Sequence, residues 1–421
     1  MSKYKYRAVE YQRVSWDRVR EQACEGRVVL AIDVAKENMF AALMKPDRTV
    51  LETLRWRHPH ETRALLERVV GLGARPLEAV LEPSGTYGDA LCRLLAEAGV
   101  AVYRASPKRV HDAAELYDGV PSSHDAKCAY LIGRLHLEGV SRPWVEPDER
   151  RRALRAQLGL LGLYQERYQR GRNRLEALLA RHWPEATYHL ELTSVSLLKL
   201  LERYGDAAAV AADAVAAGDE LRRVGGRFLG PEKVAALIES ARTTVGVACI
   251  EAERHAVAVL AQEALAARGQ CRCIEQALAE QVHSEPGLER QAAVVGKVTA
   301  VVLRCALGNP RDYPNAASYL KAAGLNLEER SSGKHQGQLK ITKRGPGLAR
   351  SYLYLASLRL IAHEEPARCW YAAKVVRDGG LKGKAITALT RKLTKALWHV
   401  GCGEALDIGK LFGSRPLAKA A

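Results

Sequence analysis

Several things that define common protein classes are missing from this 421-residue chain. No stretch approaches the ~18 consecutive apolar residues that a membrane-spanning helix requires. The charged start, MSKYKYRAVEYQRVSWDRVREQACEG, has no apolar core of the secretory kind, so a cytoplasmic location is expected. Cysteine is sparse and scattered: nine residues, an odd number, with one close pair, CRC at 271–273, and no second pair at zinc-finger spacing. Reduced thiols are expected, and no structural zinc site. Acid is in deficit, with 48 Asp and Glu against 64 Lys and Arg, a net charge of +16 and a pI near 9.5. That balance favours a polyanionic partner, nucleic acid ahead of an anionic membrane surface.

What is present divides the chain into regions. With 48% hydrophobic and 27% charged residues it can build two or three cored domains. After a polar N-terminal arm (1–26), RVVLAID (27–33), NMFAALM (38–44) and TVLETLRW (49–56) read as an antiparallel meander of short strands, with KPDR as one turn. A helical pattern, ETRALLERVVGLG, leads to a fourth strand, PLEAVLE (76–82). A helix (87–98), a strand VAVYRA (100–105) and a last helix complete the region to about 145. This order is that of a ribonuclease H-like (RuvC-like) α/β domain.

From 146 to 283 strands vanish. DERRRALRAQLGLLGLYQERYQRGRNRLEALLARHW and GPEKVAALIESARTTVGVACIEAERHAVAVLAQEALAARG read as two long helices, paired as a coiled-coil connector around an alanine-rich helical insertion. The mainly helical region 284–421 carries 23 Lys and Arg against 10 Asp and Glu, and so most of the net charge. It should grip a nucleic-acid backbone hardest.

Asp33 ends the first strand, Glu82 ends the fourth, and Asp125 opens the helix HDAKCAYLIGRL. Each alone also reads as a cap of the following turn or helix. In a ribonuclease H-like sheet the first and fourth strands are neighbours, so the three acids can converge, as hard Mg²⁺ ions acting on a phosphodiester require. AIDVAKENMFAALM also fits the first phosphate-binding hairpin of the actin-like kinases. The second loop of that class is missing, since VVGKVTA and GLKGKAIT lack the G-x-x-x-x-G-K-[ST] spacing, and ATP use is disfavoured. RSSGKHQGQLKITKRGPG (330–347) holds either a reactive serine or a basic, glycine-rich phosphate contact.

AIDVAKENMFAALM, LEPSGTYGDALCRLLAEAGVAVYRASPKRV and PSSHDAKCAYLIGRL, followed by YLKAAGLNLEERSSGKHQGQLKITKRGPGLARSYLYLAS, resemble the blocks of the insertion-sequence DEDD transposases related to the Piv DNA invertase. The resemblance implies a DNA transposase that recombines DNA under a bridge RNA. Asp33, Glu82 and Asp125 match the first three acids and imply a Mg²⁺ site; Ser332 matches the nucleophilic serine. The fourth acid does not carry over, because Cys128 stands there, one turn from Asp125. Cysteine is a soft ligand, poorly suited to Mg²⁺. Leu327 stands where the family often has proline. Lys334, Lys340, Lys343 and Arg344 would neutralise phosphates around the serine, with His335 a nearby base. DNA, a guide RNA and a second copy of the chain are the implied partners. The alternatives are a catalytically impaired or non-catalytic nucleic-acid-binding protein, and a metal-dependent junction nuclease in which the serine is passive.

Overall fold

The computed structural model describes residues 7–23, 26–83, 85–117, 119–120, 124–329, 337 and 339–413. They fall into two compact units, 1–147 and 148–421. Among them, no helix is long and apolar enough to cross a membrane.

The first unit is a seven-stranded sheet between helices. Its elements are β1 (Val9–Glu10), α1 (Trp16–Ala23), β2 (Val28–Asp33), β3 (Asn38–Met44), β4 (Val50–Arg57), α2 (Thr62–Val70), β5 (Leu77–Leu81), α3 (Asp89–Glu97), β6 (Ala101–Arg104), α4 (Pro107–Asp112), α5 (Asp125–Leu137) and β7 (Arg142–Pro143). The strand order is β1-β4-β3-β2-β5-β6-β7. β2, β3 and β4 form the expected antiparallel meander; β5 runs parallel to β2, and β6 parallel to β5. VVLAI in β2 is apolar throughout because both faces of that central strand are covered. Val28, Leu30 and Ile32 meet Leu65, Val69, Leu91 and Leu95 on one side. Val29 and Ala31 meet Ala129, Ile132 and Leu135 of α5 on the other. α5 lies close to the sheet because position 133 is glycine: a Cβ there would collide with Met44 Sδ and Ala31 Cβ.

The N-terminal segment departs from the expectation of a polar arm. Val9 and Glu10 pair in parallel with Leu54 and Arg55, and Val19 and Ala23 of α1 are buried. A two-residue strand has no periodicity to read, and α1 shows only its two buried positions among charged ones.

The second unit is helical. Asp148 caps α6 (Glu149–His182) by accepting from the Arg151 amide. Then come α7 (Ala186–His189), α8 (Val195–Tyr204), α9 (Ala207–Ala212), α10 (Ala214–Gly225), α11 (Pro231–Arg242) and α12 (Glu251–Glu280). α6 and α12 pack antiparallel: Leu161 shares a core with Leu278, while Leu175 and Leu179 share another with Val257 and Ala261. The expected second long helix is broken at 243–250. Its apolar spacing runs on through TTVGVAC, but the chain turns there and the Gly246 backbone presses on the His182 carbonyl, where a Cβ would collide. Both the expected connector, from residue 148 on, and the expected basic region lie in this unit. The basic region contains α13 (Pro286–Val295), α14 (Lys297–Leu307), α15 (Ala316–Ala322), the ribbon β8 (Leu327–Glu328) and β9 (Lys340–Ile341), α16 (Gly347–His363), α17 (Glu365–Arg377), α18 (Lys382–Cys402) and α19 (Ile408–Phe412).

Candidate functional site

Asp33 is the last residue of β2, and Glu82 follows the last residue of the neighbouring parallel strand β5. Ile32 pairs with Leu81, and the Glu82 amide donates to the Ile32 carbonyl at 3.4 Å, so the two acids are side by side at the carboxyl ends of the strands. In open α/β sheets that edge is where ligands bind. Asp33 faces the same side as Val29 and Ala31, which is the side α5 covers. Asp125 begins that helix and Cys128 lies one turn further in.

The three carboxylates interact, and among the described residues no cation pairs with them. Burial, then the charges of Asp125 and of Glu82, push Asp33 from 3.8 up to about 7. Burial also raises Glu82. Cys128 is driven to about 11 by burial and then by Asp33, Glu82 and Asp125, so without a bound cation it is a thiol at neutral pH. Such a cluster of hard oxygens, held together against its own repulsion, suits a divalent cation. One donor oxygen from each of the three acids does not fit within 4.8 Å of the others, a spread compatible with an ion that keeps several of its waters. His124 is structural: its Nδ1 accepts from the Lys127 amide at 3.3 Å and caps α5.

The residues on the Asp125 side of this site carried no signal in the motifs. Asp33 pairs with Phe40, Phe40 with Arg55, and Arg55 with Glu10, so one cross-strand row leads from the acid outward. Asp125, Phe40, Arg55 and Arg57 line a groove of about 460 Å³, and Asp125, Phe40 and Arg55 also line a second, with Arg7 and His124, of about 310 Å³. The signal was the alternation in LRWR: Trp56 points into the core while Arg55 and Arg57 point out. Arg55 is paired to Glu10 at 2.8 Å and Arg57 to Glu61 at 3.7 Å.

Of the second set of site residues, Ser332, Lys334 and His335 lie outside the described residues. Lys340, Lys343 and Arg344 stand at the base of that loop. Leu327 pairs with Ile341 and Glu328 with Lys340. The Thr342 amide donates to the Asn326 carbonyl and the Lys343 amide to the Gly324 carbonyl, both at 2.9 Å. Arg350 Nη1 donates to the Gly345 carbonyl at 2.6 Å. Lys343 takes the left-handed conformation, φ 53°, which is uncommon for a residue with a side chain and collects at functional loops. Arg344 sits 4.0 Å from Glu328.

Residues 30–184 match a family model described as Transposase, of the DEDD type of IS110, and residues 290–372 match the model described as Transposase IS116/IS110/IS902 family. The first match spans Asp33, Glu82 and Asp125; the second spans the loop from 330 to 347. No curated protein matches the chain.

Proposed function

Taking as premise that the chain is a transposase carrying domains of the IS116/IS110/IS902 family, we propose that it cuts and rejoins the DNA of an insertion sequence through Ser332, assisted by a metal site on Asp33, Glu82 and Asp125. The observation that carries this reading is the convergence of three carboxylates at the carboxyl edge of the sheet with no cation paired to them among the described residues.

A bound divalent cation, Mg²⁺ by the hardness of the oxygen donors, would stabilise charge developing on the phosphate oxygens. Asp33, Glu82 and Asp125 would hold it. Ser332 Oγ would attack the scissile phosphorus, forming a phosphoserine link as the bond to a 3′ or 5′ oxygen breaks; the serine proton leaves to a nearby acceptor, and the freed DNA oxygen takes up a proton. Attack by a hydroxyl of the exchanged strand reverses the step, so no nucleotide is consumed. Lys334, Lys340, Lys343 and Arg344 would neutralise phosphates at the loop, and Arg7, Arg55 and Arg57 would line the approach to the acids. Sequence choice would be delegated to pairing with a guide RNA, as in other guided effectors. A dimer or higher assembly would hold the two DNA partners.

Cys128, a thiol among the acids, supports a second reading: a chain that binds nucleic acid without turning it over. One experiment separates these readings. The protein is incubated with element-end DNA, guide RNA and Mg²⁺, and covalent protein–DNA product is resolved on a denaturing gel. Attachment that disappears in Ser332→Ala is the expected outcome. Cleavage without attachment would make the acids a nuclease site and the serine passive, and binding alone would establish the inert reading.

A further inference from the structure

We infer that His182, Cys249 and Glu253 form a binding site for a thiophilic divalent cation of the zinc or cobalt(II) class, at the junction of α6, the 243–250 connector and α12. It lies within the helical unit and shares no residue with the acidic site.

The donors come from three places in the chain and are each already aimed. His182 ends α6 with its side chain only 2% exposed. Its Nδ1–H donates to the Val247 carbonyl at 2.8 Å, which leaves Nε2 as the ring's lone pair. That Nε2 is buried and has no hydrogen-bond partner among the described residues. A buried acceptor left unsatisfied in this way calls for a missing partner. Facing it, 3.7 Å away, is Glu253 Oε1. The other oxygen of Glu253, Oε2, is occupied by the Ile250 amide at 3.1 Å, so Oε1 is the atom left for a ligand. Cys249 supplies a free thiol just before α12. One donor atom from each of the three lies within 4.8 Å of the other two, the only His, Cys, Asp and Glu group among the described residues that meets this test.

The surrounding contacts are those of a prepared site. The Val247 amide donates to the Arg181 carbonyl at 2.9 Å, and Val247 thus clamps the connector to the end of α6 through both its backbone groups. Glu185 holds the other half, accepting from Thr244 Oγ1 at 2.7 Å and the Val245 amide at 3.0 Å. A carbonyl fixing the far nitrogen of a ligating histidine is the usual outer-shell device of metal centres.

Thiolate, neutral imidazole and carboxylate carry two negative charges between them and match a borderline-soft dication with a fourth, open position. Mg²⁺ and Ca²⁺ prefer all-oxygen sites, so the two metal sites of this chain would sort their ions by softness. The competing arrangement is a plain ion pair, in which a protonated His182 faces Glu253, itself also 3.7 Å from Arg181.

The test uses the full chain without a histidine tag, stripped with chelator and titrated with CoCl₂. Wild type should develop a near-ultraviolet thiolate-to-cobalt absorption that saturates at one equivalent, is removed by Zn²⁺ and persists in excess Mg²⁺. Cys249→Ser should abolish that band, while Cys273→Ser, on the exposed face of α12, retains it. Glu253→Gln, which keeps an oxygen for the Ile250 amide, should weaken cobalt binding by at least roughly tenfold. Zn²⁺ should raise the thermal midpoint of wild type but not of Cys249→Ser. Absence of the band in wild type, its survival in Cys249→Ser, or unchanged affinity in Glu253→Gln would each leave the ion pair as the correct description.

Discussion

Glu78 and Glu82 sit on the same strand line and the same face, at opposite ends of β5, and their surroundings are opposite. Glu78 is buried, which by itself raises its pKa. Its Oε2 accepts from His136 Nε2 at 2.9 Å and from Arg27 at 2.7 Å, and these bonds hold the carboxyl below the usual range. Glu82 is partly buried beside Asp33 and Asp125 with no paired cation among the described residues, and both it and Asp33 are pushed up. Where this fold uses a carboxylate to hold itself together, it supplies the positive charge from its own side chains. Where it gathers carboxylates, no described side chain supplies a cation, which is the arrangement the proposed metal site would use.

Removing charge at each end of the β2–β5 pair separates the two roles. Asp33→Asn should cost at least ~10³-fold in strand transfer, because in the proposed site the metal held by this carboxylate acts on the transition state; a loss under tenfold in a gel-based transfer assay would remove Asp33 from the site. Glu78→Gln should instead destabilise, leaving His136 and Arg27 without their acceptor charge at about 1.5–3 kcal/mol, while transfer per folded molecule stays near wild type. Urea unfolding read beside the same transfer assay distinguishes the two.

pH sharpens the contrast. A carboxyl whose folded pKa lies above its ordinary value favours folding at low pH and loses that contribution as pH rises. For Asp33 the window runs from 3.8 to about 7, so the metal-free thermal midpoint should fall across it by a few degrees, and millimolar Mg²⁺ should restore it at the upper end. Glu78 has the opposite sign: its contribution is lost as pH falls through its lowered pKa. Asp33→Asn should flatten the upper slope alone in a scanning-calorimetry series. The smallest effect is expected from Cys128→Asp. A fourth carboxylate should lower the metal-free midpoint by about 1–2 °C and raise the midpoint gain at fixed Mg²⁺.

Much of this was legible because the responsible forces are local. Apolar runs closed by an acid marked β2 and β5, and the structure places Val28–Asp33 and Leu77–Leu81 within a residue or so of those runs. Once β2 and β5 were neighbours, Asp33 and Glu82 had to meet. What stayed hidden depends on partners far away in the chain. β1 exists only because β4 offers an edge. The break at 243–250 is set by packing on the end of α6 rather than by a proline or a loss of apolar spacing. His182 and Glu253 meet because α12 runs back along α6, and no spacing rule connects two residues in that way.

That return also has a mechanical meaning. α6, 34 residues and about 50 Å long, contributes Leu158 and Leu161 to the core built by α13–α18, and Leu175 and Leu179 to the core built by α8–α11. α12 does the same in reverse. The two cores are therefore mounted on one strut, and a small tilt of the strut where it leaves one of them becomes a wide sweep at the other. The length of α6 makes it a lever between the basic helices packed at one end and the α8–α11 core packed at the other.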